Sequence, residues 1–152
     1  MNFIPFTEIR LIIAKSTSSN NIYLPYLKSG GIKPKLFPCR ISLIKTLKTY
    51  VKKYCQESDK YNILYLSILY LDIILSKNKI SLTHDKKLKF LCLCCFLISL
   101  KLIGNYDTSK IIIINFCRNY RQDYKYFEAQ CLQLLDDNLV FTTAYDYLNM
   151  IL

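Results

Sequence analysis

From residue 39 onward the chain alternates long apolar stretches with short polar breaks. One stretch stands out: Leu88 to Leu102 reads LKFLCLCCFLISLKL, and between Lys89 and Lys101 only Ser99 carries a conventional polar group. Apolar side chains therefore fall all round a helical wheel, and such a helix must be wrapped by others on every side. The run is shorter than the ~20 residues needed to cross a bilayer. The pattern predicts the central helix of an all-α domain, with Lys101 where that helix reaches the surface.

The flanking stretches supply the wrapping. A first helix is expected over Cys39 to Cys55, with Ile41, Leu43, Ile44, Leu47, Tyr50, Val51 and Tyr54 on one face and Lys45, Lys48, Lys52 and Lys53 on the other. A second should run from Lys60 to Ser76. It holds one carboxylate in its apolar stretch, Asp72. A buried carboxylate requires a cationic, hydrogen-bonded partner, and Arg40 is the candidate. Thr83 can cap the central helix, His84 stands in its first turn as a surface residue, and Gly104 stops it. A short fourth helix is expected over Ser109 to Cys117, although its β-branched run Ile111 to Ile114 would suit a strand. A fifth is expected over Asp123 to Asp137, with Tyr126, Phe127, Ala129, Cys131, Leu132, Leu134 and Leu135 toward the core and a partner. Leu139 to Leu152 carries a Thr-Thr cap signal and a last helical turn or two. Residues 1–38 read as an N-terminal extension, with a short helix over Phe6 to Lys15 and a loop from Ser29 to Pro38. Residues 39–152 read as a single helical domain.

Composition supports this picture. The 152 residues suit one domain, and only 3 Gly and 4 Pro give little punctuation for a many-stranded sheet. A net charge of +10 favours acidic partners or nucleic acid as a prior. Seven cysteines, three inside the apolar helix, and the lack of a signal-peptide pattern suit a reducing interior. An intracellular protein, nuclear or cytoplasmic, is the expectation.

No catalytic constellation is present: there is no Gly-rich phosphate loop, G-x-S-x-G elbow or H-E-x-x-H. His84 lies about three helical turns from Cys94 and Cys95. A zinc site from Cys92, Cys94, Cys95 and Cys131 is awkward because Cys94 points away from the face shared by Cys92 and Cys95. The chain reads as a binding protein, not an enzyme, with no cofactor, no metal and no membrane partner.

Four strings resemble the cyclin family. YLSILYLDIILS (Tyr65 to Ser76) is similar to its "aVNYLDRFLS", with Asp72 at the family's Asp. LKFLCLCCFLISLK (Leu88 to Lys101) is similar to "LQLVGtaclLLASK", with Lys101 at the family's Lys. YFEAQCLQLLDDNLVFTTAYDYL (Tyr126 to Leu148) is similar to "RMEhlvLkvLdFdLtvPTaydFL", with Glu128 at the family's Glu. RISLIKTL (Arg40 to Leu47) is similar to "mRAILvDWL".

The resemblance spans about Cys39 to Leu152 and implies a single cyclin box, a five-helix bundle around its third helix with an Arg40–Asp72 ion pair inside. It also implies that Lys101 and Glu128 grip a cyclin-dependent kinase, with Leu102, Phe127 and Leu132 packing on the kinase C-helix. The chain would then activate the kinase by positioning that helix. Cys39, Leu43, Thr46 and Leu47 fall on the patch that docks substrate RxL motifs, where Cys39 and Thr46 replace the family's Met and Trp. Other departures are Leu102-Ile103-Gly104 in place of "YEE" and Ile73 in place of the "DRFLS" Arg. The alternatives are a transcription-factor-type cyclin fold, binding DNA or the transcription machinery, and a degenerate cyclin-fold scaffold. Nucleic acid stays a lesser expectation.

Overall fold

The computed structural model describes Ile32 and residues 34–152, except 78–84, 104–105, 117, 119–120, 138 and 142. The expected Phe6–Lys15 helix, the Thr83 cap, His84 and the Gly104 stop lie outside the described residues. Every regular element among the described residues is helical. A 3₁₀ turn at Pro34–Leu36 leads into α1 (Phe37–Tyr54), followed by α2 (Lys60–Lys77), α3 (Asp85–Leu102), α4 (Tyr106–Phe116), α5 (Arg121–Leu134) and α6 (Ala144–Ile151).

Ten consecutive residues of α3, Leu91 to Leu100, are buried, so every side of this helix is covered. α3 packs against α1, α2, α4 and α5, and α2 in turn packs against α1, α5 and α6. The α2–α3 contact is polar at one point. Ser67 Oγ lies 3.0 Å from Ser99 Oγ, and each serine also bonds the carbonyl four residues earlier in its own helix, that of Ile63 and of Cys95. Small residues with satisfied hydroxyls let the two helices approach without orphaning a buried polar group. Cys92 Sγ donates to the Leu43 carbonyl at 3.4 Å, joining α3 to α1.

α1 begins two residues before Cys39 because Pro38 fits the first turn, where its missing N–H has no intrahelical partner to lose. Ile32 and Leu36 belong to the core, so the end of the N-terminal segment packs on the helical domain. The buried stripe of α1 is Leu43, Leu47 and Val51. Ile41, expected with them, is exposed, because two residues of helix turn it about 200° from Leu43. On α5 the core stripe is Tyr124, Cys131 and Leu135, the last just past the helix end. Of the residues expected toward the core and a partner, Tyr126, 64% exposed, and Ala129 face outward rather than into the core.

Two connections position the last elements. Past α5, Asp136 N bonds Gln133 O and Asp137 N bonds Leu132 O, both at 3.0 Å, in a Schellman closure with left-handed φ of 54° and 53° at the two aspartates. Lys77 Nζ, at the end of α2, donates to the Leu134 carbonyl and lies 2.9 Å from Asp136 Oδ2, a cation at the negative end of α5. The fully buried Tyr70 of α2 donates its hydroxyl to the Leu139 carbonyl and holds Phe141 edge-on at 5.9 Å. α6 then opens on a capping box: Asp146 N bonds Thr143 Oγ1 at 3.3 Å, and Thr143 N bonds Asp146 Oδ2 at 2.7 Å.

Candidate functional site

The buried run of α3 ends at Leu100, and the next residue is Lys101 in the helix's last turn. An ammonium there meets the negative end of the helix and emerges between α4 and α5. Glu128 faces it from α5: Lys101 Nζ pairs with Glu128 Oε1, the two side chains 27% and 19% exposed. Tyr124, one turn earlier on α5, donates its hydroxyl to the same oxygen at 3.0 Å, and its ring centroid lies 5.6 Å from Lys101 Nζ. One carboxylate oxygen thus receives both an ammonium and a phenol. The tyrosine is buried and touches both members of the pair.

The pair stands in a cleft of about 270 Å³. Ile113 and Ile114 of α4 form its apolar wall, and Lys110 and Lys125 bring two further ammoniums to its edge from α4 and α5. Nearby, Phe127 stacks on Phe90 of α3 at 5.5 Å with ring planes 18° apart. Both rings remain partly exposed, Leu132 is half-buried against the core, and Leu102 is exposed beside Lys101. The structure therefore brings Lys101, Glu128 and Leu102 to one surface, with Phe127 on the adjoining α3–α5 seam.

Arg40 and Asp72 also meet. The guanidinium clamps the carboxylate in two bonds, Nε to Oδ1 at 2.6 Å and Nη2 to Oδ2 at 2.9 Å. The side chains are 31% and 17% exposed, so this pair ties α1 to α2 at the core's edge rather than inside it.

The substrate-docking patch expected on α1 is largely internal. Leu43 is 5% exposed and Leu47 is fully buried, so neither can touch a docked peptide. Cys39 is half-buried, and the half-buried Thr46 turns its hydroxyl back to the Ser42 carbonyl. The apolar spacing of α1 had placed Leu43 and Leu47 on its core face, and it is the resemblance alone that assigned them to a docking patch.

The buried thiols are chemically quiet. Burial pushes the Cys92 thiol up to about 12. A hydrogen bond with Cys131, and then burial, push Cys94 far up, while burial and then Cys131 do the same for Cys95. Thiols held protonated are neither nucleophiles nor metal ligands. Among the described residues no three His, Cys, Asp or Glu side chains converge on a metal position. No helix among them is long and apolar enough to cross a membrane.

No protein-family model, curated protein or solved structure matches the chain. The site therefore rests on its own geometry. Sequence reasoning did not single out Tyr124, Lys110, Ile113 or Lys125. Tyr124 carries a usable signal, since it precedes Glu128 by four residues and so shares its helix face. The α4 residues carry none, because only the docking of α4 against α3 brings them to Lys101.

Proposed function

We propose that the chain is a cyclin-like regulatory subunit that binds a cyclin-dependent protein kinase and activates it by holding the kinase C-helix in its productive position. The observation that carries this reading is the Lys101–Glu128 pair on adjoining helices, at a surface with Leu102 exposed and Phe127 half-exposed beside it. The Arg40–Asp72 clamp and a buried α3 wrapped by its neighbours support it as well.

The physics is that of a backbone grip. The Lys101 ammonium has three N–H groups, of which Glu128 takes one, leaving donors for main-chain carbonyls of the kinase. Glu128 keeps its second oxygen to accept main-chain amides. Each charge-assisted bond of this kind contributes roughly 1.5–3 kcal/mol. The buried tyrosine touches both groups before the partner arrives, which lowers the ordering cost of binding. A kinase C-helix seated on Leu102, Phe127 and Leu132 would keep its glutamate against the ATP-orienting lysine. The chain itself then performs no chemistry and shifts the kinase population toward its active form.

The exposed lysines 45, 48, 52 and 53 of α1 favour a second reading, a cyclin-like fold that binds DNA with the transcription machinery. Salt separates the two. Phosphate contacts weaken steeply as salt rises, whereas an apolar kinase interface does not. The test of the leading reading is capture of a purified cyclin-dependent kinase by the wild-type chain, Lys101→Ala and Glu128→Ala. Strong capture by the first and weak capture by the other two, all three folded, is the expected result. Equal capture by all three would remove the site.

A further inference from the structure

The outer face of α1 carries an ordered run of side chains. Phe37, Ile41, Lys45, Lys48 and Lys52 are all exposed, and at about 100° per residue they share an arc of about 80°. Phe37 and Ile41 are 49% and 55% exposed. Three ammoniums follow them in line, and Lys53 flanks these, over the Tyr54 ring. α1 contains no acidic residue. The next acids in the chain lie past its end, where Glu57 pairs with Lys60. Among the described residues none of Lys45, Lys48 and Lys52 lies in an ion pair. Lys52 and Lys53 suit the negative end of the helix. Lys45 and Lys48 stand mid-helix, in a series of like charges three and four residues apart, which repel.

We propose that this face docks an extended, acidic segment of a protein partner, with apolar side chains on Phe37 and Ile41 and carboxylates along the lysines. Helical rise supplies the register. Successive members of the run stand about 4.5–6 Å apart along the axis, and side chains on one side of an extended strand recur about every 6.6 Å. About seven residues of strand cover the ~22 Å from Phe37 to Lys52. A phosphate backbone is charged along its whole length and offers Ile41 no aliphatic contact. A neutral apolar segment desolvates ammoniums without a counter-charge. An acidic segment with an apolar end meets both halves of the face. With Leu43 and Leu47 buried, this is also the side of α1 that a docked segment can reach. Placing that segment in a kinase substrate rests on the regulatory reading above, whereas its recognition by α1 does not.

The experiment uses the full chain and the fluorescein-labelled peptide Leu-Ser-Leu-Ser-Glu-Ser-Glu-Ser-Glu, made in both directions because the register does not set polarity. Two companions replace every Glu by Gln or every Leu by Ser, and a labelled oligothymidylate stands for nucleic acid. Anisotropy is read at roughly 50 and 500 mM salt, with folding of each variant checked by circular dichroism. At low salt the parent peptide, in one direction, should bind wild type ~fivefold or more tightly than either companion. Its margin over the Gln peptide should close at high salt. Lys45→Glu with Lys48→Glu should abolish that margin, and the milder Lys45→Gln with Lys48→Gln should reduce it. Phe37→Ser with Ile41→Ser should remove the margin over the Ser peptide. Lys89→Glu with Arg118→Glu, at exposed positions outside α1, should leave both margins within about twofold. Equal binding of the parent and Gln peptides by wild type would overturn the proposal. So would equal weakening by the α1 reversals and the reversals outside it, which would reduce the effect to net charge. Oligothymidylate bound more tightly than the parent peptide, and released by the lysine reversals alone, would give the face to nucleic acid instead. No kinase enters this assay, so kinase capture can fail while docking on α1 stands, and the reverse.

Discussion

Removing Asp72 should destabilise the chain by about 2–3 kcal/mol. Losing one partner of a fully buried ion pair costs about 3–5 kcal/mol, while exposed pairs contribute about 0–1 kcal/mol. Arg40 and Asp72 lie between these limits. Their bidentate geometry, 2.6 and 2.9 Å, is close to optimal. Yet the arginine side chain is 31% exposed, so after Asp72→Ala part of the guanidinium can be hydrated. That relief lowers the buried-pair figure by about 1–2 kcal/mol. For a domain of this size the loss corresponds to a fall in Tm of roughly 5–10 °C. Urea unfolding of wild type, Asp72→Ala, Arg40→Ala and the double variant checks it, with an unchanged m-value as the sign that the fold is kept. The cycle should return a coupling of about 1–2 kcal/mol. A loss below about 0.5 kcal/mol for Asp72→Ala would place the pair with ordinary surface pairs, and zero coupling would mean that α1 and α2 are not joined through it.

The same measurement reaches three other features. Tyr70→Phe should cost about 1 kcal/mol, because the Leu139 carbonyl loses its donor; no change would disconnect α2 from the segment before α6. Asp137→Gly should stabilise by about 0.5–1 kcal/mol, since glycine adopts the observed φ of 53° without a Cβ penalty; destabilisation would show that the aspartate side chain has a structural role. Stability should also fall on the alkaline side. Burial raises the Cys92 thiol from 9.0 to about 12, and burial, then Cys92 and Tyr54, raise Tyr50 from 10.0 to about 12. In both cases the native state keeps a proton that the unfolded chain loses first. The contribution is thus complete below pH 9 and is lost between pH 9 and 12. Cys92 alone should remove roughly 1 kcal/mol at pH ~10, read as a lower urea midpoint than at pH ~8. Equal midpoints would contradict the burial of these groups.

The helical architecture was largely legible because α3 is unusual. A helix apolar on every face admits one environment, and Leu91 to Leu100 occupy it. The second helix was expected over 60–76 and runs Lys60–Lys77. Helix starts were less legible: α4 starts at Tyr106 rather than Ser109, and α5 at Arg121 rather than Asp123. Asp72 pointed to a cation because a carboxylate in an apolar run needs one, and Arg40 is there. Lys101 and Glu128 came from family resemblance rather than from chemistry, and what could not be read was their setting. The phenol of Tyr124 beside the pair and the lysines at the cleft's edge depend on how α4 and α5 lie against α3. No local pattern encodes that placement. Leu43 and Leu47 show two readings in competition: their apolar spacing placed them in the core, where they lie, while the resemblance placed them on a docking patch.

Central to the account is a free subunit whose Lys101 and Glu128 stand ready for another protein's main chain. Its most direct test is phosphoryl transfer by a purified cyclin-dependent kinase, measured with increasing amounts of the wild-type chain and of the charge-exchanged variant Lys101→Glu with Glu128→Lys. The exchange keeps the ion pair and net charge but presents donor and acceptor in reverse order. The account predicts saturable activation by wild type and little activation by the folded exchange variant. Activation by both to the same extent, or by neither, would contradict it.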